Sequence, residues 1–296
     1  ASQPLYNPGK ATRAVEGALH LLLELGLHAD LLQDETLLAR LDEYPLVVVP
    51  EQTRLPEATA EALAGYAGRG GRLLVSGADG TRPFDRWLGL GDAAAGLPGT
   101  PLYLPDLPGT EAAIGTWRPA VPTPGDPPIR LEPLLASRNP EAADADTPFA
   151  AAIVRRHGDG RLAGVPGALF EGFAESHYPG LRRFAGRVLE ALDVQGLARI
   201  SAPPTVHAAL RERDGTLLLH LVNLASTRAH APQDAYVEDV PAVGPVDVDL
   251  PVPFVPGAVC LEPGRRPVAF RIGEGRLRCR VEACGIHDIL VIAPAG

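Results

Sequence analysis

Residues 44–50 read Tyr-Pro-Leu-Val-Val-Val-Pro, a short apolar run between two prolines. A second run, Arg-Leu-Leu-Val-Ser-Gly, follows at residues 72–77. Runs that are apolar on both faces are typical of parallel strands buried inside a sheet. A helix is predicted between them, because Pro56 suits a first helical turn and Gly70-Gly71 suits a helix end. This strand–helix–strand rhythm predicts an α/β domain with a doubly wound, mostly parallel sheet.

The same rhythm extends to both sides of these strands and defines a first domain, residues 1–198. Between its two ordered parts, residues 81–148 are predicted to form an irregular excursion, because twelve prolines fall between Pro98 and Pro148, both included. Short strands are expected there near 102–104 and 129–135. The other predicted elements are helices at 12–25, 35–41 and 179–192, a strand at 28–32, and strands at 148–156 and 160–166 joined by a hairpin turn at 157–160.

After residue 199 the apolar residues recur with a period of two, which indicates strands. Asp214-Gly215 and Glu274-Gly275 supply turn signals between them. We therefore predict that residues 199–296 form a small antiparallel β-sandwich. Its predicted strands are 205–213, 216–224, 245–252, 258–262, 267–272, 276–283 and 286–292.

Charge and composition exclude several classes of function. The chain of 296 residues has a net charge of -9, and its basic residues are scattered, which argues against nucleic-acid binding. The longest apolar run, residues 18–27, is interrupted by His20 and Glu24, so we expect no membrane span. We also expect no cofactor and no metal. The chain contains no methionine, and we therefore expect that it was processed or cut from a longer protein.

The three cysteines, Cys260, Cys279 and Cys284, all lie near the end of the chain. Their spacing is not the C-x-x-C of zinc or redox sites, and buried free thiols are the favoured interpretation. The alternative is a single disulfide, either Cys279–Cys284 or Cys260–Cys279. Free thiols fit a cytoplasmic protein, and a secreted protein stays an alternative, because we expect the chain to lack its natural start.

Open α/β sheets bind ligands beyond the carboxyl ends of their strands. The predicted strand ends place Glu51 and Gln52 after one strand and Ser76 and Asp79 after the next. The loop and helix that follow the predicted hairpin contribute two more residues. The candidate pocket residues are therefore Glu51, Gln52, Ser76, Asp79, Glu171 and His177.

None of these residues stands in a catalytic motif, and we assign no catalytic residue. A nucleophile elbow needs G-x-S-x-G, whereas Leu74 and Ala78 flank Ser76 at the glycine positions. Paired carboxylates for glycoside hydrolysis have no distinguishing context among 36 acidic residues. The segment Gly68-Arg-Gly-Gly71 ends a predicted helix, whereas a phosphate-binding loop must begin one.

Several segments resemble the trimerisation domain of family 42 β-galactosidases and related glycoside hydrolases. These are the strand at 44–50, the helix opening Leu55-Pro-Glu57, the Gly-Gly-x-Leu strand at 70–75, and the segment Gly160–Pro166 with the helix that follows it. Residues 211–223 are similar to the first hairpin of the small C-terminal β-domain of such enzymes. The resemblance covers most of the chain except roughly residues 85–145.

The resemblance implies a flavodoxin-like fold of the kind found in class I glutamine amidotransferases, used without their chemistry. The amidotransferase nucleophile is a cysteine after the strand that matches 72–77, and no cysteine precedes Cys260. The catalytic carboxylates of the resembled glycosidases belong to an N-terminal barrel, which no part of this sequence matches. The chain is expected to begin inside the first strand of the trimerisation domain, at residues 1–3.

We therefore hypothesise a non-catalytic assembly region of a glycoside hydrolase. It would form a homo-oligomer, by the resemblance a trimer, complete a neighbouring active site, and meet a carbohydrate substrate through the missing catalytic domain. Trp87, Trp117 and Tyr103 are the interface candidates, because aromatic residues are enriched at interface anchors. The alternatives are a stand-alone sugar-processing hydrolase with a pocket at the strand ends, and a ligand-binding module that is not an enzyme.

Overall fold

The computed structural model describes residues 12–106, 109–137, 145–194, 198–225 and 239–295. The chain divides into two compact units. The first consists of Ala1–Leu21 and Asp30–Gln195, and the second consists of Leu22–Ala29 and Gly196–Gly296. The segment Leu22–Ala29 belongs to the second unit although it lies early in the chain, an assignment that the sequence pattern did not predict.

Within the described ranges, the chain forms six α-helices and eighteen β-strands. The helices are α1 (Arg13–Glu24), α2 (Asp34–Ala39), α3 (Glu57–Gly68), α4 (Asp85–Leu88), α5 (Leu169–Ser176) and α6 (Pro179–Ala191). The strands of the first unit are β1 (Leu46–Val49), β2 (Arg72–Ser76), β3 (Leu90–Asp92), β4 (Leu102–Pro105), β5 (Thr110–Ala112), β6 (Ala120–Pro122), β7 (Arg130–Ala136), β8 (Ala145–His157) and β9 (Gly160–Val165). Those of the second are β10 (Arg199–Ser201), β11 (Val206–Arg213), β12 (Thr216–Asn223), β13 (Val246–Pro251), β14 (Pro256–Glu262), β15 (Arg266–Pro267), β16 (Phe270–Gly273), β17 (Arg276–Val281) and β18 (His287–Pro294).

The main sheet of the first unit has seven strands in the order β1-β2-β9-β8-β7-β4-β5. Only the pairings β1–β2 and β2–β9 are parallel. The predicted α/β class is confirmed, but the prediction of a mostly parallel, flavodoxin-like sheet is wrong. The physical reason is the hairpin between β8 and β9, whose pairing ends at His157 and Gly160 and reverses the chain direction. Strands from the proline-rich excursion then extend the sheet in antiparallel fashion.

The excursion at 81–148 contains more regular structure than its composition suggests. The expected strands near 102–104 and 129–135 are present as β4 and β7. Two further short strands, β3 and β6, pair with each other outside the main sheet. The predicted strand at 28–32 is wrong, because this stretch forms no strand. Residues 1–3, where the resemblance implied a strand, lie outside the described residues.

The core of the first unit forms where α3 packs on the parallel strands. Leu63 of α3, Leu73 of β2 and Phe84 are at most 1% exposed. Tyr66 is also buried, and its hydroxyl donates a hydrogen bond to the carbonyl of Tyr44 at 2.8 Å. This bond fixes the residues just before β1 against α3, and the buried side chains of β1 belong to the same apolar core as that helix. Gly71 lies under the same ring, where a Cβ atom would overlap it.

The second unit consists of two antiparallel sheets, as the period-two pattern predicted. One has the order β10-β13-β17-β16 and the other β11-β12-β18-β14-β15. Both contribute to one apolar core, with Leu221 and Leu290 from the larger sheet and Leu250 and Leu277 from the smaller one fully buried. The single strand predicted at 267–272 is wrong, since β15 and β16 divide that stretch between the two sheets.

The described residues contain no helix that is long and apolar enough to cross a membrane. The three thiols of Cys260, Cys279 and Cys284 are free, so neither of the disulfides left open by the sequence is formed.

Candidate functional site

The carboxyl ends of the three adjacent strands β1, β2 and β9 meet at one edge of the seven-stranded sheet. This edge is the position at which open α/β sheets place their ligands. Glu51 follows β1 after one intervening proline, and Ser76 is the last residue of β2. Glu51 and Ser76 therefore lie side by side at this edge, joined by a hydrogen bond from the Glu51 N–H to the Ser76 Oγ.

Glu51 holds an unusual backbone conformation, with a φ of 46°. Residues other than glycine seldom adopt positive φ, and those that do often mark functional or tightly packed positions. Gly77, itself at a φ of 108°, lies so close that a Cβ atom there would be 2.9 Å from the Cα of Glu51. The sharp turn after β1 and the sharp turn after β2 thus pack against each other.

The carboxylate of Glu51 is bound by the first turn of α5. The Phe170 N–H donates to Oε1 at 2.6 Å, and the Glu171 N–H donates to Oε2 at 2.8 Å. The first N–H groups of a helix have no partner inside the helix, and the helix dipole favours a negative charge there. Glu51 therefore caps α5 from a position about 120 residues earlier in the chain, and it ties that helix to the end of β1.

The Ser76 side chain contacts both the backbone and the carboxylate of Glu51. Its Oγ accepts a hydrogen bond from the Glu51 N–H at 3.2 Å and lies 3.5 Å from Oε1 of the same residue. Ser76 is completely buried. A buried hydroxyl that already serves a backbone N–H and a carboxylate is a packing group, and no elbow geometry presents it as a nucleophile.

The pKa of Glu51 is raised to about 7, chiefly because burial penalises the ionised carboxylate. The N–H groups of Phe170 and Glu171 and the Ser76 hydroxyl oppose this rise, while the nearby Glu171 carboxylate adds to it. A carboxyl group with such a pKa can exchange a proton near neutral pH. Its two oxygens, however, are already engaged by main-chain donors.

The remaining candidates lie apart from this pair. The Gln52 side chain donates to the Pro50 carbonyl at 2.9 Å, and exposed Asp79 accepts a hydrogen bond from Arg82 at 3.2 Å. His177 ends α5 at its far end, with its ring centroid 4.7 Å from that of Phe173. The structure thus brings together Glu51, Ser76 and the backbone of Glu171, and it gives Gln52, Asp79 and His177 other local partners.

The three interface candidates differ in exposure. Trp117 is only 5% exposed, and its indole N–H donates to the Ile114 carbonyl at 3.1 Å. Trp87 is partly buried against the core, and the guanidinium of Arg86 lies 4.0 Å from its ring centroid. Tyr103, on β4, is also partly exposed. Trp87 and Tyr103 therefore retain surface that a partner can contact, while Trp117 is a core residue of this chain.

The sequence reasoning missed a buried ion pair in the excursion. The Arg118 side chain is 3% exposed, and its guanidinium donates to both carboxylate oxygens of Asp85, at 2.9 Å for the Nη1 bond. The adjacent Trp117 indicates that this segment is buried, but nothing in the sequence indicates that Asp85 is the partner of Arg118. The pair joins the start of α4 to the segment before β6.

A cavity of about 1000 Å³ lies in the second unit and is lined by none of the six nominated residues. In the described parts of the chain, no group of three or more His, Cys, Asp or Glu side chains is arranged to hold a metal ion. The thiol of Cys279 is no ready nucleophile, because burial raises its pKa to about 11.

The fold is similar to parts of larger glycoside hydrolases. Alpha-L-fucosidase isoenzyme 2 from Paenibacillus thiaminolyticus matches with a TM-score of 0.76 and 18% identity, over 100% of this chain and 47% of that one. A catalytic mutant of Gan42B, a GH42 beta-galactosidase from G. stearothermophilus, matches with a TM-score of 0.55 and 12% identity, over 99% of this chain and 38% of that one.

At these identities the similarity is one of fold. The chain spans less than half the length of either neighbour. No protein-family model and no curated protein sequence matches the chain. The resemblance of this sequence to family 42 glycosidases is thus supported at the level of three-dimensional structure.

Proposed function

We propose that this chain is an assembly and support region of a glycoside hydrolase, and that catalysis resides in another part of the protein. The fold similarity supports the glycoside-hydrolase assignment, because both neighbours are enzymes of that class and both match over essentially the whole chain. The single observation that carries the support role is the state of Glu51. Its carboxylate, whose pKa burial raises to about 7, is bound by the first turn of α5.

This state of Glu51 argues against the stand-alone hydrolase. Glycoside hydrolysis needs two carboxyl groups that face a sugar from opposite sides, about 5–9.5 Å apart. Of the candidate acids, Glu51 faces main-chain N–H groups and Asp79 faces Arg82. Glu51, the acid with both oxygens held by main-chain donors, therefore cannot serve as the acid or the nucleophile in a pair with Asp79 or Glu171.

We expect the isolated chain to show no turnover on a panel of aryl glycosides that includes galactosides and fucosides. The reason is that the first turn of α5 holds both carboxylate oxygens of Glu51, so this group cannot act as acid or nucleophile in a pair with the nearby Glu171. Product release is measured by absorbance over several hours at pH 5 to 8, with the boiled chain as the blank. Turnover that Glu51→Gln abolishes would make this chain an enzyme and would contradict the support role.

The assembly role predicts self-association into a homo-oligomer, which the sequence resemblance implies is a trimer. Trp87→Ala is expected to weaken association roughly tenfold or more, because truncation of an interface tryptophan costs about 2 kcal/mol or more. Sedimentation velocity over a range of protein concentrations measures the change. Ile286→Ala is the matched control, since that side chain is 66% exposed but lies in the second unit.

Trp87 also packs on the core, with its ring centroid 6.0 Å from that of Phe84, so thermal stability is measured on the same samples. Tyr103→Ala tests the second candidate on a different strand. A wild-type chain that stays monomeric at all concentrations would refute the assembly role. If Trp87→Ala and Tyr103→Ala both associate like the wild type, neither residue belongs to the interface.

A further inference from the structure

The cavity of the second unit lies over the outward face of the sheet β10-β13-β17-β16. Residues Leu25, Gly26 and Leu27 line it together with that sheet. Along β13 the side chains alternate, with Val248 buried in the sandwich core and its neighbours directed outward. The charged residues that line the cavity are Arg199, Arg271, Arg278, Arg280, Asp247 and Asp249.

Four arginines and two aspartates give this groove a net charge of +2, in a chain whose net charge is -9. One arginine is neutralised locally, because Arg280 donates to both carboxylate oxygens of Asp247, at 2.7 and 2.9 Å. Asp249 is shared, since it accepts hydrogen bonds from both Arg276 and Arg278. Arg271 and Arg278, on the neighbouring strands β16 and β17, are therefore two adjacent guanidiniums, and one carboxylate of the lining, Asp249, is bonded to Arg278.

Strand register places the charges in a row across the sheet. Arg199 pairs with Asp249, Asp249 pairs with Arg278, and Arg278 pairs with Arg271. With strands about 4.8 Å apart, this row is roughly 14 Å long. It contains three guanidinium groups and one carboxylate.

Arg271 and Arg278 stand directly opposite each other on neighbouring strands. Like charges in this position destabilise a sheet. Within the described residues, Arg271 has no hydrogen-bond or ion-pair partner, and Arg278 has Asp249 at 3.1 Å and the 87%-exposed Glu274 at 3.9 Å. An anionic group bound between the two guanidiniums would replace their repulsion with charge-assisted hydrogen bonds.

We infer that this groove binds a saccharide that carries carboxylate or sulfate groups, with Arg271 and Arg278 as the anion-binding pair. The choice of a saccharide rests on the proposed function. A volume of about 1000 Å³ is at the upper end of small-molecule sites, roughly 300–1,000 Å³, and leaves room for more than one sugar ring. Leu25 and Leu27 offer apolar surface to the carbon face of a ring.

An acidic peptide is the rival occupant, and the direction of the row disfavours it. A peptide that recognises a sheet usually adds a strand at its edge, parallel to the existing strands. The row from Arg199 to Arg271 runs across all four strands instead. A ligand that lies across the strands needs no main-chain pairing with the sheet.

Calorimetric titration of the chain with four probes tests the inference. Trigalacturonate supplies carboxylates, a sulfated galactotriose supplies sulfates, neutral galactotriose is the uncharged match, and hexaglutamate represents the peptide. We expect one or both charged trisaccharides to bind at least tenfold more tightly than galactotriose. We also expect this binding to weaken as NaCl rises from 50 to 500 mM, because exposed charges are screened.

Arg271→Gln is expected to weaken binding of the charged trisaccharide roughly fivefold, the effect of losing one exposed ion pair worth about 1 kcal/mol. Arg271→Lys keeps the charge but loses the planar guanidinium group. Its affinity for the charged trisaccharide should lie between those of the wild type and Arg271→Gln. Arg213→Gln is the matched control, because that side chain is 82% exposed on the other sheet. It should bind like the wild type, and a thermal melt confirms that each variant is folded.

Three outcomes would overturn the inference: equal affinity for neutral and charged trisaccharides, unchanged affinity of Arg271→Gln, or tightest binding of hexaglutamate. The last would make the groove a peptide site. Sedimentation of the same samples separates this result from the proposed function. A monomeric chain that binds trigalacturonate through Arg271 would refute the assembly role and leave the groove assignment standing.

Discussion

Trp117→Ala is expected to destabilise the first unit by about 3–5 kcal/mol, the usual cost of deleting a buried tryptophan side chain. The ring is 5% exposed and lies flat against Gly167, where a Cβ atom would overlap it. Trp117 and Gly167 also form an antiparallel bridge. Loss of the ring therefore opens a cavity beneath the segment that leads into α5.

The measurement uses the chain's own fluorescence. Both of its tryptophans lie in the first unit, so Trp87 still reports unfolding of that unit in the Trp117→Ala variant. At about 2–4 °C per kcal/mol for a unit of this size, the melting temperature should fall by roughly 6–20 °C. Gly167→Ala should also destabilise the unit, by about 1–3 kcal/mol, because the added methyl group displaces the same ring.

Trp117→Phe provides the graded control. It keeps most of the apolar surface and loses the bond from the indole N–H to the Ile114 carbonyl, a loss of about 1–2 kcal/mol. If Trp117→Ala instead melted within 2 °C of the wild type while self-association fell, Trp117 would be an interface residue and the core assignment would be wrong.

The elements that could be predicted are those whose pattern is local. The helix at 179–192 carries an apolar stripe and a first-turn proline, and α6 begins at Pro179. The hairpin at 157–160 is encoded by two glycines within four residues, and β8 and β9 pair across it. In such segments, propensity, periodicity and turn chemistry agree, so distant contacts are not needed to choose the structure.

The sequence located two strands of the excursion, near 102–104 and 129–135, but not their pairing, because their partners lie far away in the chain. Pro133 stands within β7 at a bulge opposite β8, where a strand can tolerate a missing N–H donor. β4 pairs with β7 across a separation of some thirty residues. Proline content alone therefore indicated a loop, whereas long-range pairing forms a sheet.

Two site residues show the same limit. Trp87 and Trp117 were both predicted as interface residues, yet Trp117 packs against Gly167, a glycine fifty residues later that accommodates its ring. The position of Glu51 at a strand end followed from sequence, but its φ of 46° did not, since glutamate has no preference for that region. Its partners, the N–H groups of Phe170 and Glu171, carry no side-chain signature at all.

The stability of the first unit is expected to depend on pH through Glu51. The folded-state pKa is about 7, above the ordinary value of 4.5 that applies to the unfolded chain. Below pH 4.5 the Glu51 carboxyl is protonated in both the folded and the unfolded chain, and its contribution to stability is fully present. As the pH rises from about 4.5 to about 7, the unfolded chain releases a proton that the folded chain retains, so stability falls. A shift of this size corresponds to a loss of about 3 kcal/mol.

Glu51→Gln removes the titrating group, and its stability should lack this component. The free energy of unfolding of the wild type, relative to that of Glu51→Gln, should therefore fall by about 3 kcal/mol between pH 4.5 and 7. Above pH 7 the two profiles should run parallel. Urea unfolding followed by tryptophan fluorescence at half-unit pH steps measures both profiles, because that signal arises from the first unit.

Glu57→Gln is the control for the charge change alone, since Glu57 is an exposed first-turn residue of α3. Its profile should follow that of the wild type across the whole range. If Glu51→Gln also ran parallel to the wild type from pH 4.5 to 7, the helix N–H groups would be holding the Glu51 carboxylate ionised throughout. The cap on α5 would then be a permanent charge, and the pH-dependent component would have to be sought in other groups of the first unit.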